Sequence, residues 1–553
     1  MHFKTAVRYM SAVAVGLTVF TAACTDHPLS VQNPNQPDVA KVFGTPRDVE
    51  TIISKLFQQM YNGQLGAPDD IFSQTITMSF ESSSQLGNFG MGTRGAIPRS
   101  PIDNSIGNTV SAGNFRDFDF LSRNARGAAN AIAALDAFAA AGNSTGSPAR
   151  DARAKSFAYF TLGYALGNLA LFYDSAAIIT AAVPPSEIPA LSKSADVMAV
   201  GLASLDSAIT IANSAAATTG TNGFPIPVEW LSQTTAMSRT DFIKLLRSYK
   251  AKFRAGLGRT PTERNAADWT AIIADATNGI TADFVIQTNA TTGWSGAVVN
   301  QLATSTGWSQ MTPFILGMAD TTGAYDAWLQ QPLLSKMPFL LRTPDKRFPS
   351  GDDRATQTAV TGNTRNGPVA GSILYFRNRP VGEDTPADAW GTWYYDNWRN
   401  WGIRANGQNG PYVMFALVEN DMLAAEGYIR AGNFAAAMPL INKSRVRAGL
   451  PALTAIAALT DQVPGGSACV PRVPQPPNFT TTACGNIMEA MKWEKRTETS
   501  MIGYGQWFID SRGWGDMAQG TALEWPVPYQ ELFARIKPSY TTSAKAAKGT
   551  YGF

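Results

Sequence analysis

Apolar residues recur at intervals of three and four over much of the first half of the chain, the spacing of one face of an α-helix. The stretch TPRDVETIISKLFQQMYNG opens with Thr45, a good capping residue, followed by Pro46, and ends at Gly63. Proline suits the first turn of a helix, because an N–H at that position has no partner within the helix. The pattern therefore predicts a helix that begins at Pro46 and ends at Gly63.

Five further stretches in the first half have the same periodicity, and several are rich in alanine and glycine. They are FDFLSRNARGAANAIAALDAFAAAG, PARDARAKSFAYFTLGYALGNLALFYDSA, ADVMAVGLASLDSAITIANSAA, SRTDFIKLLRSYKAKFRAGLGR and NAADWTAIIADATNG. Small residues on a helix face let neighbouring helices approach closely. The sequence therefore predicts stacked helix pairs over residues 46–280.

The helical periodicity fades between about residues 281 and 410, where Gly, Thr, Asn, Pro and Trp dominate. Polar, turn-forming segments without a regular period are typical of loops. The sequence therefore predicts a loop-rich and aromatic-rich region over 281–410, between two helical parts of the chain.

Helical periodicity returns in the stretch YVMFALVENDMLAAEGYIRAGNFAAAMPLINKSRVRAGLP. Gly432 can stop a first helix there, and Asn433 can cap a second one. Large and small residues alternate as in a tetratricopeptide-like hairpin, although the strict repeat signature is absent. The last helical stretch, IMEAMKWEKRTETSMIGYGQWFIDSRGWGDM, leads to an extended tail. We expect a mainly α fold of divergent helix pairs, with residues 411–553 as its second helical part.

The N-terminus has the features of a secretory signal: a short basic start, an uncharged apolar run and small residues before Cys24. A cysteine directly after the cleavage point favours a bacterial lipoprotein, with residues 1–23 as signal peptide and 24–45 as a tether. Thr21 stands where such signals usually have leucine, so an ordinary secreted protein is the alternative. We expect the lipid on Cys24 to be the chain's only attachment to a membrane.

Charge and histidine content exclude several classes of function. Charged residues make up 16% of the chain and its net charge is +3, with no cluster of Lys and Arg, so nucleic acid is not an expected partner. The two histidines, His2 and His27, precede the part of the chain expected to fold. The folded body therefore lacks the imidazole of His-based zinc sites, Ser-His-Asp triads and Cys-His pairs. We expect no catalytic activity.

Paired carboxylates are the remaining catalytic option, as in a glycoside hydrolase. Candidate acids in the loop-rich region are Asp320, Asp326, Glu383, Asp384 and Asp396, but their spacing indicates no pair. We expect neither cofactor nor metal. The glycine pattern GMGTRG lacks the preceding apolar strand and following helix of a dinucleotide site, and no acidic loop has the regular spacing of a calcium site.

Cys469 and Cys484 bracket the proline-rich stretch VPRVPQPPNFTTTA. In an exported chain, two cysteines left after the lipidated one usually pair. We expect a disulfide that holds a surface loop; two free buried thiols are the alternative.

The stretch WGTWYYDNWRNWG, residues 390–402, brings many rings together. Exposed Trp and Tyr form natural platforms for the apolar CH faces of sugars, yet large rings are usually buried. Both interpretations stay open for this stretch. The tryptophans of the loop-rich region that we single out as candidate ligand contacts are Trp294, Trp308, Trp328, Trp390 and Trp393.

The order of these features resembles the SusD/RagB-like outer-membrane lipoproteins over most of the mature chain. The stretches that carry the resemblance are LSVQNPNQP, ARAKSFAYFTLGYALGNLALFYD, ENDMLAAEGYIRAGNFAAAMPLINKSRVRAGLP, WEKRTETSMIGYGQWFIDSRGWGDM and WPVPYQEL. Two motifs depart from the family pattern: its Arg-Arg-x-Glu-Leu-x-x-Glu-Gly run appears here as KRTETSMIGYG, and its RWFDLRRWG pattern as QWFIDSRGWGD.

The resemblance implies a cell-surface nutrient-binding lipoprotein of the bacterial outer membrane, facing the exterior. Such a protein captures an oligosaccharide or oligopeptide and hands it to a SusC-like TonB-dependent transporter. The loop NFGMGTRG, with Asn88, Phe89 and Arg94, occupies the place where family members contribute ligand contacts. Two alternatives remain: a carboxylate-based glycoside hydrolase, and a helical scaffold that binds only other proteins.

Overall fold

The computed structural model of the protein describes residues 43–84, 86–218, 224–302, 308–360, 373–383 and 390–553. The expected signal peptide, Cys24 and most of the tether lie outside these residues, as does Asp384. Helices of the first part of the chain are α1 (Pro46–Leu65), α2 (Ile71–Met78), α3 (Met91–Gly95), α4 (Ala112–Ala140), α5 (Pro148–Phe172), α6 (Ser194–Ala212), α7 (Val228–Leu231), α8 (Arg239–Leu257), α9 (Pro261–Asn265) and α10 (Trp269–Thr277).

Short elements dominate the middle of the chain. The helices there are α11 (Ala297–Leu302), α12 (Pro313–Leu316), α13 (Ala324–Gln330), α14 (Arg354–Thr358) and α15 (Trp401–Ala405). The helices of the last part are α16 (Leu417–Arg430), α17 (Phe434–Arg447), α18 (Ile487–Thr499), α19 (Gln506–Trp514) and α20 (Tyr529–Ala534).

Strands of the described residues form two-stranded antiparallel pairs. They are β1 (Ser175–Ala177) with β2 (Leu191–Lys193), β3 (Phe284–Thr288) with β6 (Gly410–Phe415), β4 (Phe376–Asn378) with β5 (Tyr395–Asn397), and β7 (Arg472–Pro474) with β8 (Thr482–Cys484). The β3–β6 pair closes the middle region by joining its first residues to its last. The fold is mainly helical, as the sequence predicts.

Helix α1 shows how local sequence starts a helix and how packing decides its end. The Thr45 hydroxyl accepts the backbone N–H of Asp48 at 3.2 Å, and Pro46 occupies the first turn. The helix continues past Gly63 to Leu65, two residues beyond the expected end. A Cβ on Gly63 would lie 2.4 Å from the Phe120 side chain of α4, so this glycine provides room for a helix contact and does not end the helix.

Helix α5 is the centre of the first helical part, and it packs against α1, α4, α6 and α8. Its crossing with α6 depends on small residues: a Cβ on Gly163 would lie 2.8 Å from the Gly201 carbonyl oxygen and 2.8 Å from Leu205. Helix α6 is long and apolar enough by composition to cross a bilayer, but 44% of its most apolar window is buried inside the protein. Its apolar face packs against α5 and belongs to the core.

The second helical part contains the expected hairpin. Gly432 adopts a left-handed φ of 72° between α16 and α17, and the Asn433 side chain accepts the N–H of Ala436 at 3.2 Å. Apolar residues of both helices pack on α18 in a second, smaller core. Cys484, the last residue of β8, forms a disulfide with Cys469, which precedes β7, with 5.8 Å between their Cα atoms.

Candidate ligand-binding site

Two rings from separate parts of the chain meet at one edge of the loop-rich region. Phe89 and Trp308 stack with their centroids 5.5 Å apart and 8° between their planes, and both are half-buried. The Ser84 hydroxyl donates to the Trp308 carbonyl at 2.6 Å. This bond holds Trp308 beside the segment that carries Phe89. We call Phe89 and Trp308 the ring pair.

A narrow cleft of about 10 Å³ lies beside Trp390, and neither ring of the pair is in its lining. Ser83 exchanges backbone hydrogen bonds with Gln310, and its hydroxyl donates to the Gly391 carbonyl at 2.9 Å. These bonds bring half-buried Trp390 beside residues 82–84, where it lines the cleft with Ser82 and Thr312. The hydroxyls of Ser82 and Thr312 are buried and have no hydrogen-bond partner among the described residues.

A cavity of about 570 Å³ opens on the other side of Phe314, a residue that lines both the cleft and the cavity. This volume lies in the range of small-molecule sites. The rings that line it are Phe314, Trp328, Phe479, Tyr551 and Phe553, and its polar and charged lining residues are Arg99, Gln331, Lys336, Asn478 and Gln519. We call it the aromatic cavity.

The wall between cleft and cavity is itself aromatic. Phe80 stacks on Phe314 with centroids 4.1 Å apart, and Phe553 meets Phe314 edge-on at 4.7 Å. Trp328 packs edge-on against the same ring at 5.1 Å. The predicted residue Trp328 is thus 1% exposed but forms part of the cavity wall.

Three phenylalanines at this site hold left-handed backbone conformations: Phe80 at φ 59°, Phe89 at φ 54° and Phe479 at φ 56°. A bulky residue in this region is a genuine outlier, and such a conformation costs on the order of 1–3 kcal/mol. Strain of this kind concentrates at binding sites, where it aims a side chain. Each of these residues presents its ring to the ring pair, the wall or the cavity.

Lys336 and Arg99 give the aromatic cavity positive charge. Lys336 Nζ lies 3.8 Å from the centre of the Trp328 ring and donates to the Trp328 carbonyl at 2.6 Å. Burial lowers the pKa of Lys336 to about 8, so its amine is mostly charged at pH 7. The Arg99 guanidinium lies 5.0 Å from the centre of the Phe80 ring and stays charged at neutral pH.

Other residues predicted as ligand contacts lie away from the ring pair, the cleft and the aromatic cavity. Trp294 is 2% exposed, with its ring on Tyr61 at 5.3 Å in the helical core. Trp393 is fully buried, and its indole N–H donates to the Phe339 carbonyl at 2.8 Å. Arg94 is buried and donates to the carbonyls of Ser100 and Pro101, so it shapes the loop after α3. The Asn88 side chain lies outside the described part of the chain.

The ring-rich stretch divides between core and surface. Trp393, Tyr395 and Trp398 are buried, whereas Trp390, Tyr394 and Trp401 are half-buried. The core interpretation is confirmed for Trp393, Tyr395 and Trp398, and ligand contact by the half-buried rings stays a prediction.

Several residues of the site carried no sequence signal that we used. Phe479 comes from the disulfide-closed loop, Tyr551 and Phe553 from the extended tail, and Lys336 from a turn after α13. A possible signal is the aromatic YGF that ends an otherwise polar tail, because isolated rings in a polar tail need a partner.

The acids considered for catalysis do not line the aromatic cavity among the described residues. Asp396 is buried and paired with Arg377 and Arg379. The side chain of Asp320 accepts from the Thr322 hydroxyl at 2.9 Å. The part of the chain that the structure describes also contains no cluster of three metal-ligating acids or cysteines.

No family model matches the sequence, and no curated protein matches it. Among solved structures, the chain is similar to a SusD superfamily protein from Bacteroides vulgatus ATCC 8482, with a TM-score of 0.53, 13% identity, and coverage of 89% of this chain and 90% of that one. A SusD homolog from Parabacteroides distasonis ATCC 8503 has a TM-score of 0.51 and 13% identity, with 84% of each chain covered. A second SusD superfamily protein from Bacteroides vulgatus ATCC 8482 has a TM-score of 0.50 and 12% identity, with 90% and 99% covered. The chain has the SusD-like fold over most of its length.

Proposed function

We propose that this chain of SusD-like fold is a cell-surface lipoprotein that binds an oligosaccharide without cleaving it. In this proposal the lipid on Cys24 holds it to the bacterial outer membrane, and it hands the glycan to a SusC-like TonB-dependent transporter. The fold, the secretory signal and the cysteine after it support the placement of the protein at the outer membrane. The ring pair, two half-buried aromatic rings stacked together, is the single observation that supports the ligand class.

Sugars combine apolar CH faces with many hydroxyl groups, so a glycan site needs flat rings beside hydrogen-bonding groups. The ring pair and Trp390 supply half-buried flat rings on which a sugar face can stack. The aromatic cavity adds more rings and the amides of Gln331, Asn478 and Gln519. This combination suits one or more sugar residues stacked on rings and oriented by polar groups.

The lack of acidic side chains in the cleft and the cavity, among the described residues, fits binding without turnover. Glycoside hydrolysis needs two carboxyl groups that face each other across the bond to be cleaved. Among the described residues, neither the cleft beside Trp390 nor the aromatic cavity has an Asp or Glu side chain in its lining. We therefore propose no hydrolytic role for this surface.

The test uses the mature chain with Cys24→Ser, so that it stays in solution without its lipid. A glycan array should identify a ligand, and calorimetry should show that this ligand binds in solution. Incubation of the ligand with the protein over hours should release no sugar. Trp308→Ala should weaken that binding about tenfold, which corresponds to about 1.4 kcal/mol. Trp401→Ala is the matched control, because Trp401 is also half-buried and stacked on a ring, Trp398 at 4.1 Å, but is not part of the ring pair.

If the chain binds oligopeptides and no glycan, its ligand is a peptide and the proposed ligand class is wrong. If it binds neither, the result favours a scaffold that binds only other proteins. Released product sugars would favour the hydrolase. Labelled palmitate should appear on the wild-type chain and not on Cys24→Ala. Crosslinking in intact cells should join the chain to a TonB-dependent transporter, and a chain that crosslinks to none would contradict the transporter role.

A further inference from the structure

Four of the most exposed large apolar side chains among the described residues come from three neighbouring segments. They are Ile106, Ile188, Phe533 and Ile536, and each is between 76% and 94% exposed. Single exposed apolar side chains are ordinary on a protein surface, whereas several in one region mark a contact with another protein or with a membrane. We call these four side chains the apolar edge.

Hydrogen bonds hold the segment of Ile106 beside the helix that carries Phe533. Asn104 donates to the Val527 carbonyl at 2.9 Å and to the Tyr540 carbonyl at 2.9 Å, and its side-chain oxygen accepts the N–H that starts α20 at 2.9 Å. The segment around Asn104 is therefore fixed to the chain on both sides of α20.

The segment of Ile188 lies next to α20 and also next to the point where the tether joins the folded body. Arg535, the residue after α20, donates to the Pro189 carbonyl at 2.7 Å. Phe43, the first described residue, is half-buried and lines an apolar groove of about 290 Å³ with Pro185 and alanines of α4. The apolar edge and the start of the described chain therefore occupy one region of the surface.

Ile536 stands at a position that normally takes glycine. Its N–H donates to the Phe533 carbonyl at 3.0 Å and the Lys537 N–H donates to the Leu532 carbonyl at 2.8 Å, the pair of bonds that ends a helix on a left-handed residue. Its φ of 56° is unfavourable for a β-branched residue. Because the side chain is 94% exposed, contacts within the protein do not compensate for this strain.

We propose that the apolar edge contacts the lipid surface of the membrane to which Cys24 attaches the chain. This inference rests on the lipid anchor of the proposed function and adds an orientation to it. Phe43 follows Cys24 by 19 residues, a reach of at most about 65 Å for an extended chain. The anchor therefore draws the region around Phe43 toward the bilayer, where exposed apolar side chains can enter the boundary between headgroups and acyl chains.

The shape and charge of the apolar edge favour lipid over a folded partner. Its side chains project from separate turns and from one short helix, and fluid lipid can fill the space between them, whereas a protein interface has a continuous, closely packed core. The exposed charges next to it are of both signs: Asp103, Glu187 and Lys537. We therefore expect an apolar contact that salt does not weaken.

The first test places the lipidated chain in vesicles of phosphatidylethanolamine and phosphatidylglycerol, with a fluorophore on one introduced cysteine. Ile188→Cys and Phe533→Cys report on the apolar edge. Val446→Cys is the matched control, because Val446 is an exposed apolar residue on α17. We expect lipid-borne nitroxides to quench the fluorophore at 188 and 533 about threefold more than at 446.

The second test is flotation of the Cys24→Ser chain with the same vesicles. Phe533→Ser combined with Ile536→Gly should lower the partition coefficient about tenfold at low and high salt, because apolar contact is not screened, while Val446→Ser should not lower it. Ile536→Gly alone should raise the melting temperature and still weaken vesicle binding, because glycine adopts this conformation without strain. A loss of binding in that variant therefore does not come from unfolding.

Equal quenching at all three positions, or a double variant that floats like its parent chain, would overturn the inference. A dimer that the double variant abolishes would assign the apolar edge to a second copy of the chain. A crosslink from position 533 to a transporter, without lipid quenching, would assign it to a protein partner, and either result overturns the lipid contact.

The same variants separate this inference from the proposed function. The double variant should bind glycan as its parent chain does, so a failed membrane contact would leave the proposed ligand class in place. Labelled palmitate that is absent from Cys24 would instead contradict the anchor on which the inference rests. Glycan binding lost in the double variant would place the apolar edge in the ligand site and would also overturn the inference.

Discussion

Glu498 of α18 joins the second helical part of the chain to the loop-rich region, which contributes Trp308 and Trp328 to the site. The carboxylate is 2% exposed. One oxygen accepts from the Tyr375 hydroxyl at 2.8 Å and from Arg447 at 2.5 Å. The other accepts from Arg347 at 3.2 Å and from the Ser444 hydroxyl at 3.0 Å. Glu498→Gln therefore tests how strongly this junction is held by charge.

The pKa of Glu498 gives the size of the effect. Burial alone would raise that pKa, but the guanidinium groups of Arg347, Arg399 and Arg447 outweigh burial and lower it from 4.5 to about 2. One pH unit between unfolded and folded pKa is worth about 1.4 kcal/mol, so the ionised carboxylate contributes about 3 kcal/mol at pH 7. Because the folded pKa is the lower one, this stabilisation is complete above 4.5 and is lost as the pH falls toward 2.

Urea unfolding of wild type and Glu498→Gln measures this contribution. We expect the variant to lose about 3 kcal/mol at pH 7, and the difference from wild type to fall below half of that at pH 3. Glu531→Gln is the control: Glu531 pairs with Arg535 at 2.6 Å in a partly exposed i,i+4 pair and should cost less than about 0.5 kcal/mol. A Glu498→Gln variant as stable as wild type at pH 7, or a difference that does not change between pH 7 and 3, would refute the reasoning.

Three further changes test the packing, the loop and the cavity. Gly163→Ala should lower the unfolding free energy by about 1–3 kcal/mol, because its Cβ would lie 2.8 Å from the Gly201 carbonyl; Gly402→Ala in α15, with open space around its Cβ, should not. Cys469→Ser with Cys484→Ser should cost about 3 kcal/mol by opening a short closed loop, and equal melting temperatures with and without the disulfide would contradict this. Trp328→Ala should lower the affinity for any ligand found by at least tenfold while Trp401→Ala does not, measured by calorimetry on variants that give the wild-type circular dichroism spectrum.

Features set by neighbouring residues were predictable from the sequence. The start of α1 depends on Thr45 and Pro46, and the α16–α17 hairpin on Gly432 and Asn433, all of which act within a few residues. The end of α1 is not predictable in the same way: Gly63 has the local pattern of a stop signal, but the helix continues to Leu65. The small size of Gly63 serves a contact with Phe120 of another helix, which no local pattern shows.

The exposure of the rings could not be read from composition. Trp390 and Trp393 stand three residues apart in the same stretch, yet of the two only Trp393 is fully buried, where its ring packs on Phe339 and Tyr395 and its N–H donates to the Phe339 carbonyl. The ring pair likewise depends on a contact between distant segments. The aromatic cavity was missed because Lys336 and Phe479 come from segments with no helical or strand period of their own.

Hydroxyl-radical footprinting, read by mass spectrometry with and without bound glycan, tests the ring pair and the cavity most directly. Oxidation of exposed rings slows where a ligand covers them. We expect the glycan to protect Phe89, Trp308 and Phe479, and to leave the half-buried Trp401 unchanged. Protection confined to other rings, with Phe89 and Trp308 oxidised at the same rate in both states, would contradict the account.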